Sequence, residues 1–174
     1  MSAGAPARIV VRQLGVADAP RYRALRLDGL RHFPHAFRPD YEEALAQPLA
    51  WSESRLGAHG KYWFGAFDGA DLVGAVGLRT LDGRKIRHVA RLVALTVDAR
   101  RQRQGIGRSL VAHLIEHARE LGFIRQVQLT VSDGNERAER LYDAFGFERF
   151  GLERDAFFHD GSYHAKQHRQ LFLK

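Results

Sequence analysis

Apolar positions along this chain alternate between a period of two and a period near 3.6. Residues 8–13 alternate and predict a first strand beginning at Arg8. From 18 to 30 the apolar Tyr22, Leu25, Leu27 and Leu30 recur at helical spacing, with Asp18 placed to cap the helix and Pro20 in its first turn. Residues 32–39 hold Pro34 and Pro39 and predict a loop, and a second helix over 48–56 stops near Gly57. The middle becomes strand-like. Residues 61–67 and 71–80 flank Asp68-Gly69, a hairpin signal, and Asp82-Gly83 precedes a long strand over 87–97. An amphipathic helix follows over 108–121, with Leu110, Val111, Leu114, Ile115, Ala118 and Leu121 on one face and Gly122 as its stop. Residues 127–131 predict a buried strand. A helix over 135–145, capped by Asn135 and closed by Gly146, carries Ala138, Leu141, Tyr142 and Phe145 on one side. Two last strands, 154–159 and 164–173, surround Asp160-Gly161. The order is βααβββαβαββ, which predicts one α/β domain over residues 1–174, a mixed central sheet flanked by helices.

A length of 174 residues suits one domain with a sizeable core. No apolar run approaches the roughly 20 residues that cross a bilayer. Residues 1–7 lack the basic start and apolar stretch of a secretory signal. The chain has no cysteine, which excludes disulfides, thiolate nucleophiles and cysteine-based zinc sites. The expectation is a cytoplasmic protein without a membrane partner. Formal charge is +7, carried by 23 Arg and 4 Lys that are scattered rather than blocked, so nucleic acid is not the expected partner. One concentration changes the picture. Arg100, Arg101, Arg103 and Arg108 cluster around Gly105 and Gly107.

That cluster lies in the run Gln102-Arg103-Gln104-Gly105-Ile106-Gly107-Arg108, between a predicted strand and a predicted helix. Glycines let a phosphate approach backbone N–H groups, and the first turn of the helix offers unpaired donors and a positive dipole end. A G-x-G taken alone serves equally as a tight turn. The lysine and hydroxyl of a P-loop are missing, and Ser109-Leu110 stands where a dinucleotide fingerprint has its third glycine.

The run resembles the acyl-CoA-binding motif of the GNAT superfamily of N-acetyltransferases, Q/R-x-x-G-x-G/A, through Gln102, Gly105 and Gly107. Downstream, Asn135, Ala138, Leu141, Tyr142, Gly146 and Phe147 are similar to the family's next block, N-x-x-A-x-x-L-Y-x-x-x-G-F. The resemblance implies acetyl-CoA as cosubstrate, without a metal. Its pyrophosphate would rest on the amides of Gln102, Arg103, Gln104, Gly105, Ile106, Gly107 and Arg108. Its pantetheine arm would pair with Leu95, Thr96 and Val97, and an N–H near Leu95 would polarise the thioester carbonyl. It also implies Tyr142 as the acid that protonates the departing thiolate, where the residues alone predict a core aromatic beside Leu141 and Phe145. Asn135 is placed to contact the CoA arm, to cap its helix, or both.

No general base is identifiable. His88 and Arg91 stand where many members of the family carry an acidic residue, and strand surface is the expected place of His88. Asp40, Glu42 and Glu43 lie among elements that usually bind the acceptor but read as solvated surface. In the tail, Asp160-Gly161-Ser162-Tyr163-His164 has His164 where some relatives carry aspartate. His113 and His117 spell an inverted zinc motif with no third ligand to complete it, and Trp51 and Trp63 read as packing residues. The expected activity is acetyl transfer from acetyl-CoA to a primary amine, a small molecule or a protein amino group, in a ternary complex, with a homodimer as a possible assembly. The alternatives are a non-catalytic acyl-CoA-binding module on the same fold, and a basic nucleic-acid-binding domain, which needs a continuous Arg/Lys face.

Overall fold

In the computed structural model, residues 9–174 are described, and they run β1 (Ile9–Gln13), α1 (Ala19–His32), α2 (Tyr41–Ala46), α3 (Leu49–Gly57), β2 (Lys61–Asp68), β3 (Asp71–Thr80), β4 (Val89–Val97), α4 (Ile106–Glu120), β5 (Gln126–Ser132), α5 (Glu136–Ala144), β6 (Glu148–His159) and β7 (Ser162–Phe172). The expected strand start at Arg8 and residues 1–7 lie outside the described residues. The strands form one sheet in the order β1-β2-β3-β4-β5-β7-β6. Every neighbouring pair is antiparallel except β4 and β5, which are parallel. Among the described residues no helix is long and apolar enough to cross a membrane.

Helices cover both faces of the sheet. On one face, Leu110, Val111, Leu114, Ile115 and Ala118 of α4 pack on Phe64, Val76 and Leu78. On the other, Tyr22 and Leu25 of α1 and Leu56 of α3 pack on Trp63, Phe67 and Ala75. The pleat explains the division, because Trp63 and Phe64, like Ala75 and Val76, point to opposite faces.

The predicted order of elements holds, with one addition. Helix α2 is a turn and a half long, too short to show a period, and is signalled only by its cap: Asp40 Oδ1 accepts from the N–H groups of Glu42 (2.8 Å) and Glu43 (3.1 Å). Asp18 takes the expected N-cap position of α1, but its side chain does not cap the helix. Its carboxylate takes a two-pronged contact from Arg12 (2.8 and 2.9 Å) and the Gly15 N–H (3.0 Å), and makes no capping bond to α1. These contacts, the Arg12 guanidinium first, hold its carboxyl down at about 2. Helix α4 starts at Ile106, ahead of the predicted 108. Strand β6 starts at Glu148, ahead of the predicted 154, because irregularities between Arg149 and Gly151 and between Glu153 and Phe157 break its alternation.

Close approach of α4 to the sheet rests on Gly74. A Cβ there would lie 2.8 Å from Ile106 Cγ2 and 2.9 Å from Leu110 Cδ1. Gly74→Ala is therefore expected to lose about 1–3 kcal/mol of unfolding free energy in urea titration. Unchanged stability would contradict this packing.

Candidate functional site

Strands β4 and β5 pair only at Val89–Gln126, Ala90–Val127 and Arg91–Gln128. Beyond Arg91 they part, and each strand is held by its other neighbour. Strand β4 keeps to β3, but its register slips: Gly77 faces Val93 and Ala75 faces Thr96, leaving Ala94 and Leu95 across from Val76 alone. Ala94 takes φ +53° at this bulge, which re-aims the backbone of Leu95. Strand β5 follows β7 as far as Ser132, opposite Lys166. The gap between them is a cleft made of two adjoining cavities, of about 300 and 470 Å³, whose walls share Ala36, Phe37, Leu95, Asn135 and Ala138.

The smaller cavity is walled by Leu95, Thr96, Val97, Gln102, Arg103, Gly105, Ile106, Gly107, Arg108 and Asn135, with Leu141 behind them. Asp98 shapes the approach to the loop by accepting from the Arg100 N–H (2.9 Å). Gln102 then ties it down, its Nε2 donating to Val97 O (2.9 Å). Gly105 has φ +76°, a left-handed conformation that costs a residue with a Cβ about 1 kcal/mol. Ser109 N–H is the one that bonds back to Gly105 O (2.9 Å), so the N–H groups of Ile106, Gly107 and Arg108 form the open first turn of α4. Arg100 is engaged by Asp98 (2.7 Å) and Arg101 by Asp68 (2.7 Å). Arg103 and Arg108 stay on the cavity wall, Arg108 with its guanidinium 5.5 Å from the Phe145 ring centre. Open amides, a glycine cradle and two cations suit a pyrophosphate. Gln104 is outside this wall; its Oε1 accepts from Arg101 Nε (3.0 Å). Asn135 caps α5 through Ala138 N–H (3.3 Å) while lining both cavities.

The larger cavity receives Tyr142 from α5. Its ring is buried edge-on against Phe147 (5.7 Å between centres), and burial pushes its phenol well above the usual value. At neutral pH it keeps its proton. Opposite stand residues that the sequence did not single out. Lys166, on β7, is 4% exposed and donates to Ala36 O (3.3 Å) and Ser132 Oγ (3.4 Å). Burial, with help from the nearby Arg38 charge, pushes its ammonium down to about 8. Arg26, Arg38, Arg55 and Trp51 also line this cavity. Nothing in the local sequence distinguishes Lys166, Arg26, Arg38 and Arg55 from surface cations, since the sheet and α1 bring them together from distant segments.

Asp40 and Glu43 reach the wall of the larger cavity, while Glu42 does not. His88 and Arg91 are exposed and line neither cavity. His164 stacks on Phe157 (4.9 Å) and meets His35 (5.1 Å). His113 and His117 turn their rings onto Phe64 (4.9 and 5.1 Å). Trp63 is buried against Tyr22 (5.2 Å), as expected of a packing residue; Trp51 packs too, but on the cleft side.

The Lys166 amine carries a pH signature. In the unfolded chain it holds its proton up to about 10.5, whereas in the folded protein it loses it near 8. Across that window the unfolded state binds more protons, so this group makes stability rise with pH. Lys166→Met is expected to flatten that rise in urea titrations run between about pH 8 and 10.5. An unchanged slope would contradict the burial of a charged amine.

Comparison with known proteins gives a consistent result. Residues 27–147 match the profile of the Acetyltransferase (GNAT) family. The chain is 37% identical over 101 residues to a mouse (Mus musculus) protein named "Probable N-acetyltransferase family 8 member 5", covering 58% of this chain and 44% of the relative. It is 36% identical over 107 residues to the N-alpha-acetyltransferase RimI of Mycobacterium tuberculosis, covering 62% of this chain and 64% of that one. The chain thus matches less than two thirds of either relative's length. The solved structure of yncA from Salmonella typhimurium with its cofactor acetyl-CoA superposes with a TM-score of 0.80 at 20% identity, over 96% of this chain and 95% of that one.

Proposed function

The chain belongs to the acetyltransferase (GNAT) family, and we propose that it moves the acetyl group of acetyl-CoA to a primary amine by direct attack in a ternary complex. The observation that carries this reading is the continuity of the cleft. One wall runs from the open amides of the glycine loop, past Leu95, to the phenol of Tyr142. The relatives named N-acetyltransferases agree with an amine acceptor.

Acetyl-CoA supplies an acyl group already activated as a thioester. The amides of Ile106, Gly107 and Arg108, with Arg103 and Arg108 beside them, hold the pyrophosphate. The backbone of Leu95, Thr96 and Val97 pairs with the pantetheine amides as an added strand would, on the side of β4 that β5 has left free. The N–H of Leu95, turned by the bulge at Ala94, polarises the carbonyl. The amine enters from the larger cavity; its nitrogen bonds to the carbonyl carbon as the carbon–sulfur bond breaks. Tyr142 gives its proton to the leaving sulfur; burial favours its neutral form, so the phenol enters the reaction protonated. Lys166 lines the same cavity with an amine at about 8, placed to accept the proton shed by the attacking nitrogen.

Thiol release from acetyl-CoA across a panel of amines tests the reading. Tyr142→Phe is expected to lower kcat about 100-fold or more without changing affinity for acetyl-CoA. Gly107→Val is expected to abolish acetyl-CoA binding by calorimetry, since its methyl groups extend from a Cβ 3.5 Å from Leu141 and 3.8 Å from Val97 into the pyrophosphate cavity. Acetyl-CoA binding with no amine-dependent release would favour a non-catalytic binding module. No acetyl-CoA binding at all would end both readings.

A further inference from the structure

Three arginines and a lysine line the acceptor cavity: Arg26, Arg38, Arg55 and Lys166. Most have partners within the chain. Arg38 pairs with Glu153, and Arg55 donates from Nε to Tyr22 Oη (3.0 Å) with its guanidinium 5.0 Å from the Trp51 ring centre and 4.4 Å from that of Trp63. Lys166 has a carbonyl and a hydroxyl. Arg26 differs. Its Nε is buried with no hydrogen-bond partner, and among the described residues no carboxylate forms an ion pair with it. It lies beside the Tyr22 hydroxyl and against Trp51, 5.4 Å from the ring centre. Burial works against its charge, yet an arginine stays protonated, so this wall of the cavity carries a cation without a counter-ion.

The acidic side of the cavity offers little to an amine's far end. Asp40 spends Oδ1 on capping α2, and Glu43 is exposed at the rim. A second positive charge on the acceptor would face Arg26, Arg55 and Lys166. A negative charge would supply the partner that Arg26 lacks, in a planar, two-pronged geometry that a carboxylate matches.

We propose that the acceptor is an amine that also carries a carboxylate, and that Arg26 binds that carboxylate while the amine points to the thioester. This rests on the acetyl-transfer reading above. It makes Arg26 a determinant of which amine is accepted, with Trp51 holding the guanidinium in place. A half-buried cation on the cavity wall, with no carboxylate paired to it, argues that its counter-ion arrives with the substrate.

Two measurements test it on the whole chain. In the first, thiol release from acetyl-CoA is followed with 4-aminobutyrate, with putrescine, with leucine and with leucinamide. The carboxylates are expected to exceed their cationic or neutral counterparts by about tenfold or more in kcat/KM. Arg26→Met is expected to erase that preference mainly through KM, and Arg26→Lys to restore part of it. Affinity for acetyl-CoA should be unchanged in both, because Arg26 is not on the wall of the pyrophosphate cavity. In the second, the same compounds are titrated into the CoA-bound protein and tryptophan fluorescence is read, since Trp51 touches the site. This arm needs no turnover. Saturable binding of 4-aminobutyrate and leucine, weakened about tenfold by Arg26→Met, supports carboxylate recognition even if no acetyl transfer occurs. Putrescine or leucinamide binding as tightly as its carboxylate counterpart overturns it, as does an Arg26→Met variant that weakens every compound equally. Failure of acetyl transfer alone, with the carboxylate preference intact, counts against the transferase reading and not against this one.

Discussion

The site exists because two parallel strands stop pairing. Strands β4 and β5 are joined over Val89, Ala90 and Arg91 on one side and Gln126, Val127 and Gln128 on the other, and then separate. A sheet does not leave backbone donors and acceptors unpaired in its interior without a reason, because each buried orphan costs about 1–3 kcal/mol. Here the unpaired edge of β4 lines a cavity, and an amide-bearing ligand can complete it as a further strand. The separation is enforced from both sides. The bulge at Ala94 and Leu95 bends β4 while β3 holds it, and β7 holds β5 out to Ser132.

Everything else at the site is hung from that gap. Strand β4 runs into Asp98 and the loop, Gln102 ties the loop back to Val97, and α4 begins where the loop ends. Gly74 lets the first turn of α4 sit close on β3, so the open amides at Ile106, Gly107 and Arg108 have a fixed relation to the strand edge. Helix α5 follows β5 and delivers Asn135 and Tyr142 to the opposite wall. The same packing that buries Leu110 and Leu114 therefore sets where the open helix turn stands relative to the strand edge.

Much of this was legible in the sequence, and the exceptions have physical causes. The apolar face of 108–121 and the Asp68-Gly69 and Asp160-Gly161 turns are strong local signals, and they located α4 and both hairpins. Gln102, Gly105, Gly107 and Asn135 were readable because a loop and a cap are local structures, written in adjacent residues. Helix α2 was missed for want of a full period, and Asp18, though at the cap position, gives its carboxylate to Arg12 on the neighbouring β1. Arg26 and Lys166 left no trace. They lie on α1 and β7 and meet only once the sheet has formed, so each looked like an ordinary charged residue on its own element. Tyr142 was legible as a core aromatic, and it packs as one. The burial that seats its ring against Phe147 also pushes its phenol above the usual value.

The larger cavity shows how a fold can gather cations without a local motif. Its cations come from α1, α3, the segment before α2, and β7. In the proposed function, the strand edge and the open helix turn hold a single extended ligand. Amide hydrogen exchange with and without acetyl-CoA reads both at once. Binding should slow exchange about tenfold or more at Leu95 to Val97 and at Ile106, Gly107 and Arg108 together, while the β6–β7 hairpin tip around Asp160 stays unchanged. Protection that leaves these amides untouched, or that appears on the loop without the strand, would contradict a ligand lying along β4 into the glycine loop.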